Sequence, residues 1–322
     1  MATIERAHAH ISEPAGDGVE TGSFASSNAL ETARRTFIIA SYNIRYCAGS
    51  YLITGGIGRR LGLKRPARRF SLIHHHLQKA VRALSDGLHL PSPDIVALQE
   101  TDKLTLRAGG RHDIARRLAI DLQMHYARAA AVCSPGEEPQ PRKWYLDFEE
   151  HLEHEETGDT GIAVLSRLPF ASAARIDLPW SDCEWRPRLA LQTEIQTGDG
   201  ESLHIFNSHI DPHAAINEQL EQHEAILARA ADVSGAVVLL GDFNTLTGKA
   251  RREMRRLLES KDFSTPMPTG TPTWRAGLLR LHTDWIFVRG AKTRRWGVAR
   301  LRGISDHWPV WAEIDLRDET SR

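Results

Sequence analysis

Short apolar runs recur along most of the chain and are separated by polar, turn-forming residues. Runs of this length, rich in Val, Ile, Leu and Phe, are typical of strands that are buried on both faces. The predicted strands are residues 36–44, 94–99, 160–166, 188–195, 202–208, 236–241, 284–288 and 308–314.

Three longer segments have apolar residues at helical spacing: 70–86, 112–122 and 214–231. The short segment "TGDG", residues 197–200, predicts a hairpin between two of the strands. Long and short connections together indicate mixed sheets with helices packed outside them, in one α/β domain over residues 35–318.

Residues 1–34 are rich in Ala, Ser, Gly and Glu and contain one aromatic residue, Phe24. This composition predicts a disordered tail or a loosely attached arm, because it offers little apolar surface to bury.

Polar residues with catalytic side chains fall at the ends of the predicted strands. Because a residue at a strand end is held by a rigid sheet, side chains placed there often build a site. The candidates are Asn43, Glu100, His209, Asp242, Asn244, Asp284, Asp306 and His307.

Each candidate also has an ordinary structural interpretation when it is taken singly. Asn43 is compatible with a strand cap, Glu100 with a surface charge, and Asp284 with a turn residue. His209, between Ser208 and Asp211, is compatible with a hydrogen-bonded structural histidine. The recurrence of the pattern at six strand ends favours a common site.

Asn43, Glu100 and Asp306 carry the hard oxygen ligands that suit Mg²⁺, with Mn²⁺ as a substitute. Mg²⁺ prefers few protein carboxylates together with water and substrate phosphate oxygens. The sequence has no cysteine cluster of the kind that binds structural zinc. These three residues are therefore the predicted metal ligands.

The other five candidates suit the hydrolysis of a phosphoester. Asp242 is expected to orient or deprotonate the attacking water, and Asn244 to bind a phosphate oxygen. Asp284 would fix the tautomer of His307 and raise its pKa, so that a protonated His307 stabilises charge in the transition state. His209 would contact phosphate or protonate the leaving oxygen.

The strings "YNIR", "DIVALQE", "NSHID", "GDFNT", "TDWIFV" and "SDHWPV" occur in this order along the chain. In this respect the chain resembles the endonuclease/exonuclease/phosphatase superfamily over residues 36–316. The resemblance implies a DNase I-like, four-layered αββα sandwich and Mg²⁺-dependent cleavage of a phosphodiester or phosphomonoester. It also implies the roles given above for each of the eight candidates.

The chain departs from the family pattern in the helix after "NSHID". Many relatives have an arginine before the glutamine there, whereas residues 217–222 offer Gln219 and Gln222 without an arginine. A phosphate contact is therefore expected to be missing. The basic, glycine-rich stretch 49–69 and the acidic stretch 147–156 are expected to lie near the substrate.

Two further sets of residues with ring side chains stand out in the sequence. Trp144, Tyr145, Trp180 and Trp185 suit either a base-stacking pocket or the core and its rim. The consecutive histidines 74–76 point in different directions on a helix, so we expect them to be structural.

Charge and composition leave the substrate open. The chain has 41 basic and 41 acidic residues, which gives no general reason to expect a nucleic-acid partner and excludes none. The basic stretches 59–69 and 249–256 favour a nuclease for DNA or RNA, or an abasic-site endonuclease, whereas the zero net charge and the acidic stretch oppose it. A phosphatase or phosphodiesterase for a small molecule or a lipid headgroup needs only a local basic pocket. An inactive scaffold is disfavoured because every expected catalytic residue type is present.

The cysteines indicate a reducing compartment. Cys47, Cys133 and Cys183 are odd in number and widely spaced, which disfavours a disulfide framework. The N-terminus resembles no signal peptide, and no apolar run has the length of a membrane span. We expect a cytoplasmic monomer.

Overall fold

The computed structural model describes residues 11–15, 18–25, 35–49, 69–132, 158–180, 187–197 and 200–316, with backbone only for residues 11–15. Eight strands form a mixed sheet in the order β1-β2-β5-β6-β4-β3-β15-β14. They are β1 (Ile11–Ala15), β2 (Val19–Ser23), β3 (Thr36–Asn43), β4 (Ile95–Gln99), β5 (His125–Ala130), β6 (Gly161–Ser166), β14 (Lys292–Val298) and β15 (Val310–Asp315).

Five strands form a second sheet in the order β13-β10-β9-β8-β7. They are β7 (Phe170–Asp177), β8 (Leu189–Gln196), β9 (Ser202–His209), β10 (Ala236–Asp242) and β13 (Asp284–Arg289). A small hairpin joins β11 (Trp274–Ala276) to β12 (Leu279–Leu281). All eight predicted strands are present, and the predicted hairpin joins β8 to β9.

Four α-helices are present in the described part of the chain: α1 (Arg69–Ser85), α2 (Ile114–Leu122), α3 (Ile216–Ala231) and α4 (Gly248–Glu259). The first three match the predicted helices to within two residues at each end. None of the helices described by the structure has the length and apolarity needed to cross a bilayer.

Three apolar cores separate four layers of structure, which confirms the expected αββα sandwich. Along β3, Ile39 packs between the two sheets while Tyr42 packs against α1 and α2. Along β10, Val238 packs between the sheets while Val237 packs against α3 and α4. Central strands are apolar on both faces because each face meets another layer.

A buried polar contact also joins the two sheets. The Gln99 amide on β4 donates to Asn207 Oδ1 on β9 at 2.7 Å. Asn207 in turn donates to the carbonyls of Leu98 and Ala163 at 2.9 Å. Since buried polar groups are costly without partners, this network favours one register between the sheets.

Residues 1–34, expected to form a disordered tail or a loosely attached arm, include two strands of the larger sheet. Residues 19–23 pair with β5, and residues 11–15 pair with residues 19–22. Phe24 stacks on Tyr126 with ring centroids 5.8 Å apart. A polar strand of this kind is stabilised by the edge of an existing sheet, so its own composition does not reveal it.

Several predicted features lie outside the described residues. They are the basic stretch 59–69 apart from Arg69, the acidic stretch 147–156, and Trp144, Tyr145, Trp185, Cys133 and Cys183. Of the three consecutive histidines, His76 is buried and its Nδ1 lies 2.7 Å from the Cys47 carbonyl, as expected for a structural role.

The buried His223 on α3 lowers the stability of the fold at acidic pH. Both of its ring nitrogens are buried without a partner in the described residues, and the ring packs edge-on against Phe243. Burial lowers the pKa of His223 from 6.5 to about 3. The unfolded chain therefore binds the proton more readily, and stability falls as the pH drops below about 6.5.

We predict that His223→Leu loses less stability between pH 7.5 and pH 5 than the parent chain. Because the unfolded histidine has a pKa near 6.5, the difference amounts to about 2 kcal/mol at pH 5. Urea unfolding at both pH values measures it. His204→Leu is the control for the loss of a buried histidine, because His204 is also buried but its Nε2 is bonded to the Ser234 carbonyl at 3.0 Å. This variant should keep the pH dependence of the parent chain. An equal pH dependence in parent and His223→Leu would contradict the prediction.

Candidate functional site

The sheet topology brings the eight candidate residues to one edge of the sandwich. Strands β3 and β4 run parallel, as do β9 and β10, so the carboxyl ends of each pair lie side by side. Strands β13 and β15 run antiparallel to β10 and β3, so their first residues lie at the same edge. This arrangement places the strand-end residues of both sheets together.

The Asn43 side chain connects the two sheets at this edge. Its Nδ2 donates to Glu100 Oε1 at 3.1 Å and to Asp242 Oδ2 at 2.9 Å. Its Oδ1 accepts from the Arg45 backbone amide at 3.0 Å. Asn43 therefore positions two carboxylates, and its oxygen faces the backbone of the following turn.

His307 lies between two aspartates. Its Nδ1 is 3.1 and 3.0 Å from the two oxygens of Asp284, and its Nε2 is 3.7 Å from Asp242 Oδ2. Asp284 also accepts from Thr283 Oγ1 at 2.8 Å. A ring held in this way by Asp284 presents Nε2 toward Asp242.

Burial and charge together set the protonation of this group. Burial raises the pKa of the Asp242 carboxyl to about 7, although the nearby His307 opposes the shift. Burial by itself would lower the pKa of His307, but the charges of Asp284 and Asp242 outweigh it and raise that pKa to about 10. At neutral pH the imidazole is therefore a cation, and the Asp242 carboxyl beside it has a pKa raised toward neutrality.

His209 approaches Asp242 from the neighbouring strand. The two residues are register partners on β9 and β10, and His209 Nε2 lies 3.8 Å from Asp242 Oδ2. The buried Arg188, directly before β8, has its guanidinium nitrogens 3.5 Å from His209 Nε2 and 3.9 Å from Asp211 Oδ1. Sequence reasoning missed Arg188, although a basic residue directly before a buried strand is the same strand-end signal.

Asp306 is held by two residues that the sequence pattern did not single out. Arg45 Nη1 lies 2.5 Å from Asp306 Oδ2, and Trp274 Nε1 donates to the same oxygen at 2.8 Å. Asp306 Oδ1 accepts from Ser305 Oγ at 3.3 Å. Arg45 is part of the string "YNIR" and could have been found there; no local signal marks Trp274.

Asn244 is buried and follows Asp242 by two residues. Its backbone amide donates to Asp242 Oδ1 at 3.1 Å, and its side-chain amide donates to the Ile210 carbonyl at 2.8 Å. Gln219 donates to the carbonyls of Asp211 and Asn244, at 2.8 and 3.3 Å. The helix that lacks the expected arginine thus fixes the loops on which Asp211 and Asn244 lie.

One subset of the site could hold a metal ion. Asp242, Asp284 and His307 are buried, and one ligand atom from each lies within 4.8 Å of the others. Glu100 and Asp306 add two further buried carboxylates at the same edge. A group of carboxylates with one imidazole suits a divalent cation that prefers oxygen ligands.

The family model described as Endonuclease/Exonuclease/phosphatase family matches residues 40–307, which include all eight candidates. The chain belongs to this family. It is therefore an enzyme of the class that hydrolyses phosphoester bonds. No curated protein matches the chain.

Solved structures of the endonuclease/exonuclease/phosphatase family share this fold. A family protein from Beutenbergia cavernae is 17% identical, with a TM-score of 0.60 over 88% of this chain and 72% of its own. The 2′,3′-cyclic phosphatase ANGEL2 is 15% identical, with a TM-score of 0.57 over 87% and 95%. A mannosyl-6-phosphatase from Bacteroides thetaiotaomicron is 17% identical, with a TM-score of 0.51 over 86% and 99%.

Gly241, directly before Asp242, lets β10 approach β9 closely enough to build the site. Its φ is +144°, and a Cβ at this position would overlap the backbone oxygen of Ser208. We predict that Gly241→Ala lowers the free energy of unfolding by about 3 kcal/mol or more, since backbone must move. Gly200→Ala is the control: its φ is +76° but nothing lies within 4 Å, so it should lose only about 1 kcal/mol. Denaturant unfolding measures both, and equal losses would contradict the argument.

Proposed function

We propose that this family member is a Mg²⁺-dependent hydrolase of a phosphodiester or phosphomonoester, with Asp242 activating water and His307 stabilising the phosphate. The observation that carries the proposal is the position of His307, which is hydrogen-bonded to Asp284 on one side and lies 3.7 Å from Asp242 on the other. An acid–base pair and a fixed cation are the groups that phosphoester hydrolysis needs.

The proposed reaction divides the work between Asp242 and His307. Asp242, ionised, accepts a proton from the attacking water, which the pKa of about 7 suits. His307, protonated, directs Nε2–H toward the phosphate oxygens as negative charge builds on them. Asp284 does not contact the substrate in this scheme; it positions the imidazole and keeps it protonated.

Glu100 and Asp306 are the proposed holders of Mg²⁺, with Asn43 positioning Glu100. Their oxygens suit the ion, and Asp306 Oδ1 has Ser305 at 3.3 Å as its contact in the described residues. The direct bonds from His307 to Asp284 favour a proton-carrying role for that pair. When bound, Mg²⁺ supplies positive charge for the phosphate oxygens and the leaving group.

His209 and Arg188 are proposed to receive the remaining phosphate oxygens. The two side chains lie 3.5 Å apart and both border a small pocket beside Thr160 and Pro187. A guanidinium group provides the cation that the helix after "NSHID" lacks. The role of Asn244 as a phosphate ligand stays a prediction, because its amide nitrogen is bonded to Ile210.

A nuclease is the second candidate, favoured by the position of α4. This helix begins four residues after Asn244 and buries Ala250, Met254 and Leu258 while leaving its basic residues outside. Arg251 donates to the Thr245 carbonyl at 2.9 Å, which ties the basic helix to the site loop. The cytoplasmic location and the monomeric state stay predictions.

We predict that Asp242→Asn and His307→Gln each lower kcat by about 100-fold or more, because each removes a proton-transfer or charge-stabilising group. Steady-state hydrolysis of p-nitrophenyl phosphate and bis(p-nitrophenyl) phosphate measures the effect. Asp121→Asn is the control, since Asp121 lies on α2 and pairs with Arg117 at the surface. Near-parental turnover in either site variant, with a parental melting temperature, would remove the assignment.

The second prediction concerns the metal and the substrate class. EDTA should abolish hydrolysis and Mg²⁺ should restore it, because Glu100 and Asp306 need a cation to serve catalysis. The test uses the two chromogenic esters beside supercoiled plasmid, untreated and partly depurinated, with Asp242→Asn run in parallel. Metal-dependent nicking of the plasmids would favour the nuclease, and cleavage of the small esters alone would favour a small or lipid phosphoester. Activity that survives EDTA would contradict the metal requirement.

A further inference from the structure

Four arginines line a pocket of about 160 Å³. The pocket is formed by the β11–β12 hairpin, by the loop between β14 and β15, and by Trp308 at its wall. We call it the arginine pocket. Its cationic residues are Arg275, Arg280, Arg300 and Arg302.

The charges of the arginine pocket are not neutralised by the described part of the chain. None of its four guanidinium groups has a carboxylate partner there, whereas Arg294 and Arg295 on the adjacent β14 pair with Asp315 and Glu313. Neighbouring arginines on this side of the molecule thus form ion pairs with carboxylates, whereas those of the pocket form none with the described residues. Convergent like charges repel, and they are stabilised when an anion binds between them.

Trp308 holds two of these arginines in place. The guanidinium carbons of Arg275 and Arg300 lie 5.9 and 5.6 Å from the centroid of its indole ring. The Trp308 side chain itself is buried, so the ring serves the arginines and offers no free face to a nucleobase. The pocket therefore recognises negative charge, and guanidinium groups match phosphate oxygens in particular.

The arginine pocket is built on the same two chain segments as the site. The Arg275 backbone amide donates to the Asp306 carbonyl at 3.0 Å, and Trp274 pairs with His307 across the same bridge. Trp308 directly follows His307, so the pocket wall and the proposed phosphate-stabilising group are one residue apart. The arginine pocket and the site therefore adjoin along residues 306–308 and the β11 strand that pairs with them.

We propose that the arginine pocket binds a second phosphate group of the molecule held at the catalytic site. The inference rests on the proposed function and narrows it: preferred substrates carry the phosphoester that is cleaved and another phosphate close to it. A small bisphosphate and an adjacent nucleotide of a strand share this chemistry.

The test is isothermal titration of the full chain, carrying Asp242→Asn so that ligands are not consumed, with Mg²⁺ present. Adenosine 3′,5′-bisphosphate is expected to bind about 10- to 100-fold more tightly than adenosine 5′-monophosphate, the range for additional charge-assisted hydrogen bonds. Adding Arg280→Gln and Arg302→Gln should reduce this preference to about twofold or less. These two arginines are exposed and make no described side-chain contact, so the variant should fold.

The matched control adds Arg294→Gln and Arg295→Gln, which removes the same charge from paired arginines outside the pocket and should leave the preference intact. A second pocket variant, Arg275→Gln with Arg300→Gln, tests the arginines held by Trp308. Trithymidylate compared with dithymidylate forms the strand arm, because the first has one more backbone phosphate. The arm in which the pocket variant abolishes the preference identifies the source of the phosphate.

Equal affinities for bisphosphate and monophosphate, together with equal affinities for the two oligonucleotides, would overturn the proposal that the arginine pocket binds a second phosphate. So would a preference that survives in both pocket variants. Hydrolysis of p-nitrophenyl phosphate and bis(p-nitrophenyl) phosphate by the chain with Asp242 intact is measured beside the titrations. Failure to hydrolyse either ester, with a pocket-dependent preference present, would count against the proposed function and not against the pocket.

Discussion

The side-chain amide of Asn43 joins the two sheets at the site, beside the bond between His307 and Asp284. Asn43 lies on the larger sheet and donates to Glu100 of the same sheet and to Asp242 of the other. The positions of both carboxylates therefore depend on the distance and register between the sheets. That register is supported by the buried contact between Gln99 and Asn207. A substitution that alters the spacing or register of the sheets is therefore expected to move Glu100 and Asp242, even when it lies outside the site.

The strands that could be predicted are those whose own residue pattern reveals which of their faces are buried. Strand β10 is apolar at every position before Gly241 because both of its faces are covered. The strand over 170–177 was missed because it lies at a sheet edge and reads "FASAARID", without strong alternation. Helix α4 shows only a basic composition in the sequence because just three of its residues are buried. In both cases the segment shows too few apolar residues of its own to reveal the face on which it packs.

Strand ends pointed to the candidate residues, since parallel strands carry their last residues to a common edge. Their contacts could not be predicted in the same way. Its hard side-chain oxygen predicts Asn43 as a metal ligand, and in the structure this oxygen accepts from the Arg45 amide. Trp274 reaches Asp306 from a hairpin 32 residues earlier in the chain. Side-chain rotamers and contacts across such separations are set by the assembled fold, not by local composition.

The turn after Asn43 has a left-handed backbone conformation that its residues disfavour. Arg45, Tyr46 and Cys47 have φ values of 45°, 37° and 57°, and left-handed backbone is unfavourable by roughly 1–2 kcal/mol for each such residue. The packed molecule holds the turn: the Tyr46 backbone amide donates to the Glu100 carbonyl at 3.0 Å, and the Arg107 guanidinium carbon lies 4.3 Å from the centroid of the Tyr46 ring. A designer who copied "YNIRYC" into another scaffold would therefore obtain a different turn, with its arginine directed elsewhere, unless the surrounding layer were transplanted with it.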